Sequence, residues 1–195
     1  MKYVIRKVPE RNTEYLERLL PGAYVYNDVE HVGAIQSFLN VLSEINEDAL
    51  YIQDDMLLCK NFTEKAEEVI SKYPYAVIVF SNFTHDTFTR HVKTQGWYSA
   101  KEGGWLLCTY IPCGIKNAFL SWYKSENWKR RYAQWAQRWI DRQYDDVLFS
   151  RFLMENNLDV FVVIPNLAGH PKNESVIDKR PPKITPNFDY ENAER

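Results

Sequence analysis

What most limits the folds open to this chain is an alternation. Short apolar runs at 3–5, 23–26, 50–52, 76–80, 105–111 and 160–164 are separated by stretches whose apolar residues recur at helical spacing. Asn12 or Thr13 is placed to cap a helix that reaches Leu20, residues 32–45 carry the helical period, and Thr63 opens a third helix to Lys72. Strands separated by helices of this length call for crossover connections. The pattern therefore predicts a single α/β domain with a mainly parallel central sheet flanked by helices on both faces. Sheets of that kind present ligands at the carboxyl ends of their strands.

With 195 residues, 45% of them hydrophobic, the chain has enough apolar surface to fill one core. Its 24 Lys+Arg stand against 26 Asp+Glu, which leaves no global field to draw nucleic acid or an acidic membrane, so any basic surface is local. Cys59, Cys108 and Cys113 form no C-x-x-C pair, which disfavours a disulfide framework and a thiolate zinc site. Cys108 and Cys113 fall in or beside an apolar run and are expected to be inert core. The first residues carry charges where a signal peptide needs an apolar centre, and no stretch of 18 apolar residues follows. The expectation is a cytoplasmic protein without a membrane span, in which the sequons at Asn61, Asn82 and Asn173 carry no sugar. Residues 81–104 and 165–195 show no clear period, and the second holds five of the nine prolines, so both are expected to be loops. Residues 1–177 are then the domain and 178–195 a Pro-rich tail.

The sharpest local feature is the run from Ala49 to Asp55, where an apolar strand leads directly into Asp54 and Asp55. Adjacent carboxylates repel, and a hard divalent cation sharing their oxygens relieves the repulsion. A diphosphate would complete the coordination shell. The plainer use of such a pair is to cap a solvated turn. A second strand, 160–164, leaves the sheet and presents His170 between Gly169 and Pro171, where neutral imidazole can join a carboxylate on a metal; with oxygen ligands this points to Mn²⁺ more than to Mg²⁺. Third, Asp145 and Asp146 start a helix with apolar residues at 148, 149, 152 and 153. Either suits an N-cap, and one of the two can cap while the other faces a cleft as general base.

Taken in order, these elements resemble the nucleotide-sugar glycosyltransferases of the A-type (GT-A) fold, which carry a D-x-D-like acidic motif after a strand and a late histidine in the metal shell. The resemblance spans roughly residues 2 to 177, and Asp28, Gly33, Gln36 and Asn40 fit the layout that precedes the motif. It implies Arg6 and Asp28 near base and ribose, Asp55 and His170 on Mn²⁺ or Mg²⁺, and Asp145 or Asp146 serving the acceptor. Gln53-Asp54-Asp55 is a variant of the motif, since Gln53 can only hydrogen-bond where an acid is usual. Lys172 and Arg180, in the stretch after His170, would neutralise the leaving phosphates and could fold over the donor.

One helix over 125–143 is expected to set Trp128, Tyr132, Trp135 and Trp139 on a single face, most simply as core, with Arg131, Arg138 and Arg142 on its flank. Basic groups beside rings also suit an acceptor that is a modified base in DNA. His85, Asp86 and His91 lack the spacing of a helical zinc site and suit the gripping of a polar acceptor. The acceptor, a glycan or a nucleic acid, stays open. Two other activities use the same groups: a metal-dependent nuclease or phosphoesterase, and a non-catalytic module that docks through its tryptophans.

Overall fold

The computed structural model describes residues 1–81, 92–100, 106–171, 185 and 187–194. His85, Asp86, His91, Trp105, Lys172 and Arg180 lie outside the described residues. A seven-stranded sheet runs in the order β2 (Tyr24–Asn27), β1 (Lys2–Lys7), β3 (Ala49–Gln53), β7 (Cys108–Ile111), β5 (Val77–Val79), β8 (Asp159–Val162), β6 (Gly96–Ser99). Neighbours β2, β1 and β3 are parallel, as are β5 and β8, while β7 and β6 run against their neighbours, so five of the seven strands point one way. This is the α/β domain with a mostly parallel sheet that the alternation predicts.

The apolar runs are continuous because both faces of the sheet are covered. Along β3, Ala49 and Tyr51 pack on one face, and Leu50 and Ile52 on the other. Val77 and Val79 of β5 alternate with Ile78 in the same way. The first face is covered by α2 (Ala34–Glu44), α4 (Cys113–Lys124) and α7 (Asp145–Glu155), through Phe38, Phe119 and Phe149. The opposite face is covered by α1 (Glu14–Leu19) and α3 (Phe62–Lys72), through Leu16, Ala66 and Ile70. The chain leaves β1 through α1 to reach β2, then crosses by α2 to β3 on the other side of β1. A crevice opens at such a reversal, outside the carboxyl ends of the strands.

Three elements differ from expectation. The helix over 125–143 is two helices, α5 (Asn127–Arg131) and α6 (Ala133–Asp141), broken at Tyr132, whose φ of −112° and ψ of 33° are not helical. Its rings therefore do not share one face: Trp128 is fully buried, whereas Trp135 is 46% exposed. Cys113 is no core strand residue; it opens α4, half-buried, with its N–H donating to Asp48 Oδ1 at 2.8 Å. Within the loops expected at 81–104 and 165–195, β6 is an edge strand of the main sheet, and β9 (Ala168–Gly169) and β10 (Ala193–Glu194) flank β4 (Leu57–Cys59) in a three-stranded antiparallel sheet. Among the described residues no helix is long and apolar enough to cross a membrane.

Candidate functional site

Register alone gathers the first site residues. Arg6 pairs with Gln53 across β1 and β3, and Lys7 with Asn27 across β1 and β2. The chain therefore delivers Arg6, Asp28 and Asp54 to the same end of three adjacent parallel strands. The ladder continues past the strand ends, with Asp28 N–H donating to Lys7 O at 2.9 Å and Asp54 N–H to Arg6 O at 3.1 Å. Val8 N–H donates to Asp54 Oδ2 at 3.1 Å, which ties the turn after β1 to the acidic pair. A cleft of about 340 Å³ opens here, lined among others by Arg6, Asp28, Gly33, Asp54, Asp55 and Asp145.

Asp55 and His170, far apart in sequence, meet because of the small sheet. β4 and β9 pair antiparallel with Leu57 opposite Gly169, so the residues just before β4 lie beside those just after β9. His170 Nε2 stands 3.0 Å from Asp55 Oδ2. The imidazole's backbone is held on both sides: its N–H donates to Thr185 Oγ1 at 2.9 Å, and its carbonyl accepts from the Tyr190 hydroxyl at 2.9 Å. Arg11 Nη2 approaches the same Asp55 oxygen at 3.8 Å.

Across the cleft, Arg6 Nη1 pairs with Asp145 Oδ2 at 2.7 Å, and both side chains are largely buried. Asp145 thus occupies the cleft. Asp146 is not among its lining residues and accepts the Val147 N–H at 2.8 Å in the first turn of α7. Gly33 precedes α2 at φ 89° and ψ 161°, a region almost confined to glycine, and a Cβ there would lie 2.6 Å from Gln143 Oε1. That amide oxygen instead accepts the Ile35 N–H at 3.2 Å, supplying α2 with a distant cap. Asp28 is buried, and its Oδ1 accepts the Val32 N–H at 3.1 Å, which shapes the turn into α2.

Gln53 lines the cleft. Gln36 does not: it is exposed and donates to Asn40 Oδ1 at 2.7 Å, while Ser37 takes the cleft side of α2. Arg11, His31 and Ser37 are cleft residues that sequence reasoning missed. The available signal was spacing for Ser37, four positions after Gly33 on one helix face. Arg11 and His31 sit in turns that no motif marks.

Desolvation pushes the Asp54 carboxyl above its ordinary value; the Val8 N–H pulls it back, and the charge on Asp55 raises it further. Burial likewise raises the Tyr15 hydroxyl, with the charges of Asp55 and Asp54 adding to the effect. A cation in the cleft would relieve the cost of ionised Asp54. Asp28, Asp54, Asp55 and Asp145 line the cleft and His170 adjoins Asp55 without lining it, and among the described residues no three His, Cys, Asp or Glu side chains gather as a metal site. The donor set fits an ion that completes its shell with water and phosphate oxygens, as Mg²⁺ does and Mn²⁺ can, and does not fit a closed structural site.

No family model matches the chain, and no curated protein does. Among solved structures it is similar to A197 from STIV, at 14% identity over 97% of this chain and 96% of that one, with a TM-score of 0.48. It is also similar to the CTP:phosphocholine cytidylyltransferase LicC from Streptococcus pneumoniae, at 14% identity over 81% of this chain and 67% of that one, with a TM-score of 0.43. What the cleft can do follows from its own side chains.

Proposed function

We propose that the cleft holds the diphosphate of a nucleotide-sugar together with Mn²⁺ or Mg²⁺, and that the chain transfers the sugar to an acceptor hydroxyl. The contact between Asp55 and His170 is the main support. Asp55 Oδ2 and His170 Nε2, 3.0 Å apart, could both serve one small divalent ion. The ion would supply neutralisation of the charge that builds on the leaving phosphates.

The chain's own residues have the following parts. Arg6 and Arg11 bring guanidinium groups to the phosphates, and the second carboxylate oxygen of Asp28 is offered to ribose hydroxyls. Asp54 fixes the turn through Val8, and Gln53 donates from the first position of the acidic motif. Gly33 adopts the glycine-only turn that sets the start of α2 at the cleft and leaves room for the Gln143 side chain. The acceptor proton passes to Asp145, which faces the cleft, once donor phosphate draws Arg6 away from it; Asp146 is the alternative base one position on. Lys172 and Arg180 are proposed as further phosphate partners.

The test is a thermal-shift screen of UDP, GDP and CTP with and without Mn²⁺, followed by assay of sugar release from the corresponding nucleotide-sugars. Stabilisation is expected from a nucleoside diphosphate only when Mn²⁺ is present, and Asp55→Ala should remove the metal-dependent part. No metal-dependent shift with any nucleotide would end the reading. A shift with CTP and none with the diphosphates would move it to nucleotidyl transfer, in which the same cation serves a different phosphorus.

A further inference from the structure

A second cleft, of about 490 Å³, lies between α6 and α7 and is lined by rings and guanidinium groups: Tyr132, Trp135 and Trp139 with Arg138 and Arg151, closed by Tyr144 and Val147. Its volume is within the range of small-ligand sites. Arg151 stands 5.6 Å from the Tyr132 ring centre and 5.5 Å from that of Trp139, and Arg138 stands 6.0 Å from that of Trp135. Rings hold the flat face of a guanidinium and leave in-plane N–H groups for an anion, one of which on Arg151, at Nη1, donates to Met154 Sδ at 3.5 Å. Among the described residues no carboxylate lines the cleft, and neither arginine forms an ion pair. The nearby Arg131, by contrast, is paired with Glu155 at 2.5 Å. Trp135, at 46% exposure, presents an open aromatic surface at the rim.

Each half of this chemistry narrows the ligand. Open aromatic faces accept any flat ring or apolar sugar face, but two arginines without acidic partners select an anion. A neutral saccharide is gripped through carboxylates and amides that accept from its hydroxyls, and neither kind of side chain lines the cleft. The geometry points to a second binding site, between α6 and α7, for a nucleotide: a base stacked on Trp135 with phosphate on Arg138 and Arg151. Tyr144 of this cleft is followed directly by Asp145 of the first, so the two linings come within one residue of each other. That the bound nucleotide is the acceptor of the transferred sugar rests on the function proposed above. That the cleft binds one does not.

A free nucleotide and a single strand share this chemistry, and competition separates them. A fluorescently labelled oligodeoxythymidylate of roughly a dozen nucleotides is titrated with the full chain by anisotropy at low salt, with unlabelled thymidine 5′-monophosphate as competitor. Binding is expected, and Trp135→Ala should weaken it by about tenfold or more. Arg138→Gln should weaken it and lower the slope of affinity against salt. Circular dichroism of both variants checks that they are folded, and if one is not, the other decides. Competition by the monophosphate at matching nucleotide concentration assigns the site to free nucleotides, and failure to compete assigns it to strands. No binding by the parent chain, or equal binding by parent and both folded variants, overturns the inference. The UDP and Mn²⁺ shift of the unmodified protein is measured alongside. Strand binding that depends on Trp135 without such a shift leaves this cleft standing and removes the transferase, and the reverse result does the opposite.

Discussion

Asp54 makes the energetic conflict in the first cleft measurable. Desolvation is the chief reason its carboxyl titrates above the ordinary 3.8, and the adjacent Asp55 charge adds to it against the pull of the Val8 N–H. Because the folded value is the higher one, the native state holds its proton longer. Its stability advantage is complete below the unfolded value and is lost as pH rises through the folded one. Asp54→Asn keeps an oxygen for Val8 and discards the charge. The variant should therefore exceed the parent in stability at neutral pH and match it near the bottom of that window, as read by urea melts at the two pH values. Equal melts at neutral pH would mean that solvent already screens the charge. Gly33 gives a second test: Gly33→Ala forces a side chain into a glycine-only conformation and against Gln143, at a cost of about 1–3 kcal/mol in urea denaturation. At this scale the sequence revealed those residues whose type and position coincide, such as an acidic pair at a strand end. It did not reveal Arg11, whose place depends on a turn closed by Arg11 N–H donating to Val8 O at 3.0 Å. Gln36 lies outside the cleft lining because access on α2 goes by helical phase, which favours Ser37.

Strands buried on both faces were legible, as was the edge strand β2, whereas the edge strand β6 and the short strands of the small sheet were not. β3, β5 and β8 are near-continuous apolar runs because two layers of helices cover them, whereas β6 reads Gly-Trp-Tyr-Ser, half-exposed, and β9 and β10 are two residues each. The break between α5 and α6 was hidden because aromatic spacing continues across Tyr132 as if the helix did. The break predicts unequal tryptophans. Trp128→Ala should cost about 3–5 kcal/mol, as expected of a fully buried ring, and Trp135→Ala no more than about 0.5 kcal/mol. Chemical denaturation of the two variants checks this, and similar losses would contradict the break. The C-terminal segment matters for a different reason: Phe188 packs on Gly169 so closely that a Cβ there would lie 2.3 Å from the ring, and Tyr190, edge-on to Phe188, holds the His170 carbonyl. Gly169→Ala should thus lower stability by about 1–3 kcal/mol through overpacking. Phe188→Leu in the same chain should recover part of that loss, and a strictly additive double variant would place the strain elsewhere.

At the scale of the whole molecule, the first cleft is balanced against any single ligand. Among the described residues four carboxylates, Asp28, Asp54, Asp55 and Asp145, line it beside three cations, Arg6, Lys7 and Arg11. A diphosphate arriving alone brings anionic charge toward those acids. On the proposed function, a divalent ion arriving alone would have only Asp55 and His170 as its protein ligands. Bound together, the cation would offset the repulsion between phosphate and carboxylates, so Mn²⁺ and a nucleoside diphosphate should bind with positive coupling. Couplings of this kind are typically about 1–3 kcal/mol, or about 5- to 150-fold in affinity. Thermodynamic linkage requires the effect to be reciprocal: Mn²⁺ must tighten UDP by the same factor by which UDP tightens Mn²⁺. Calorimetric titrations in both orders measure the two factors independently. Equal factors well above one, abolished by His170→Ala, would place ion and diphosphate on the same side chains, and factors of one would separate them.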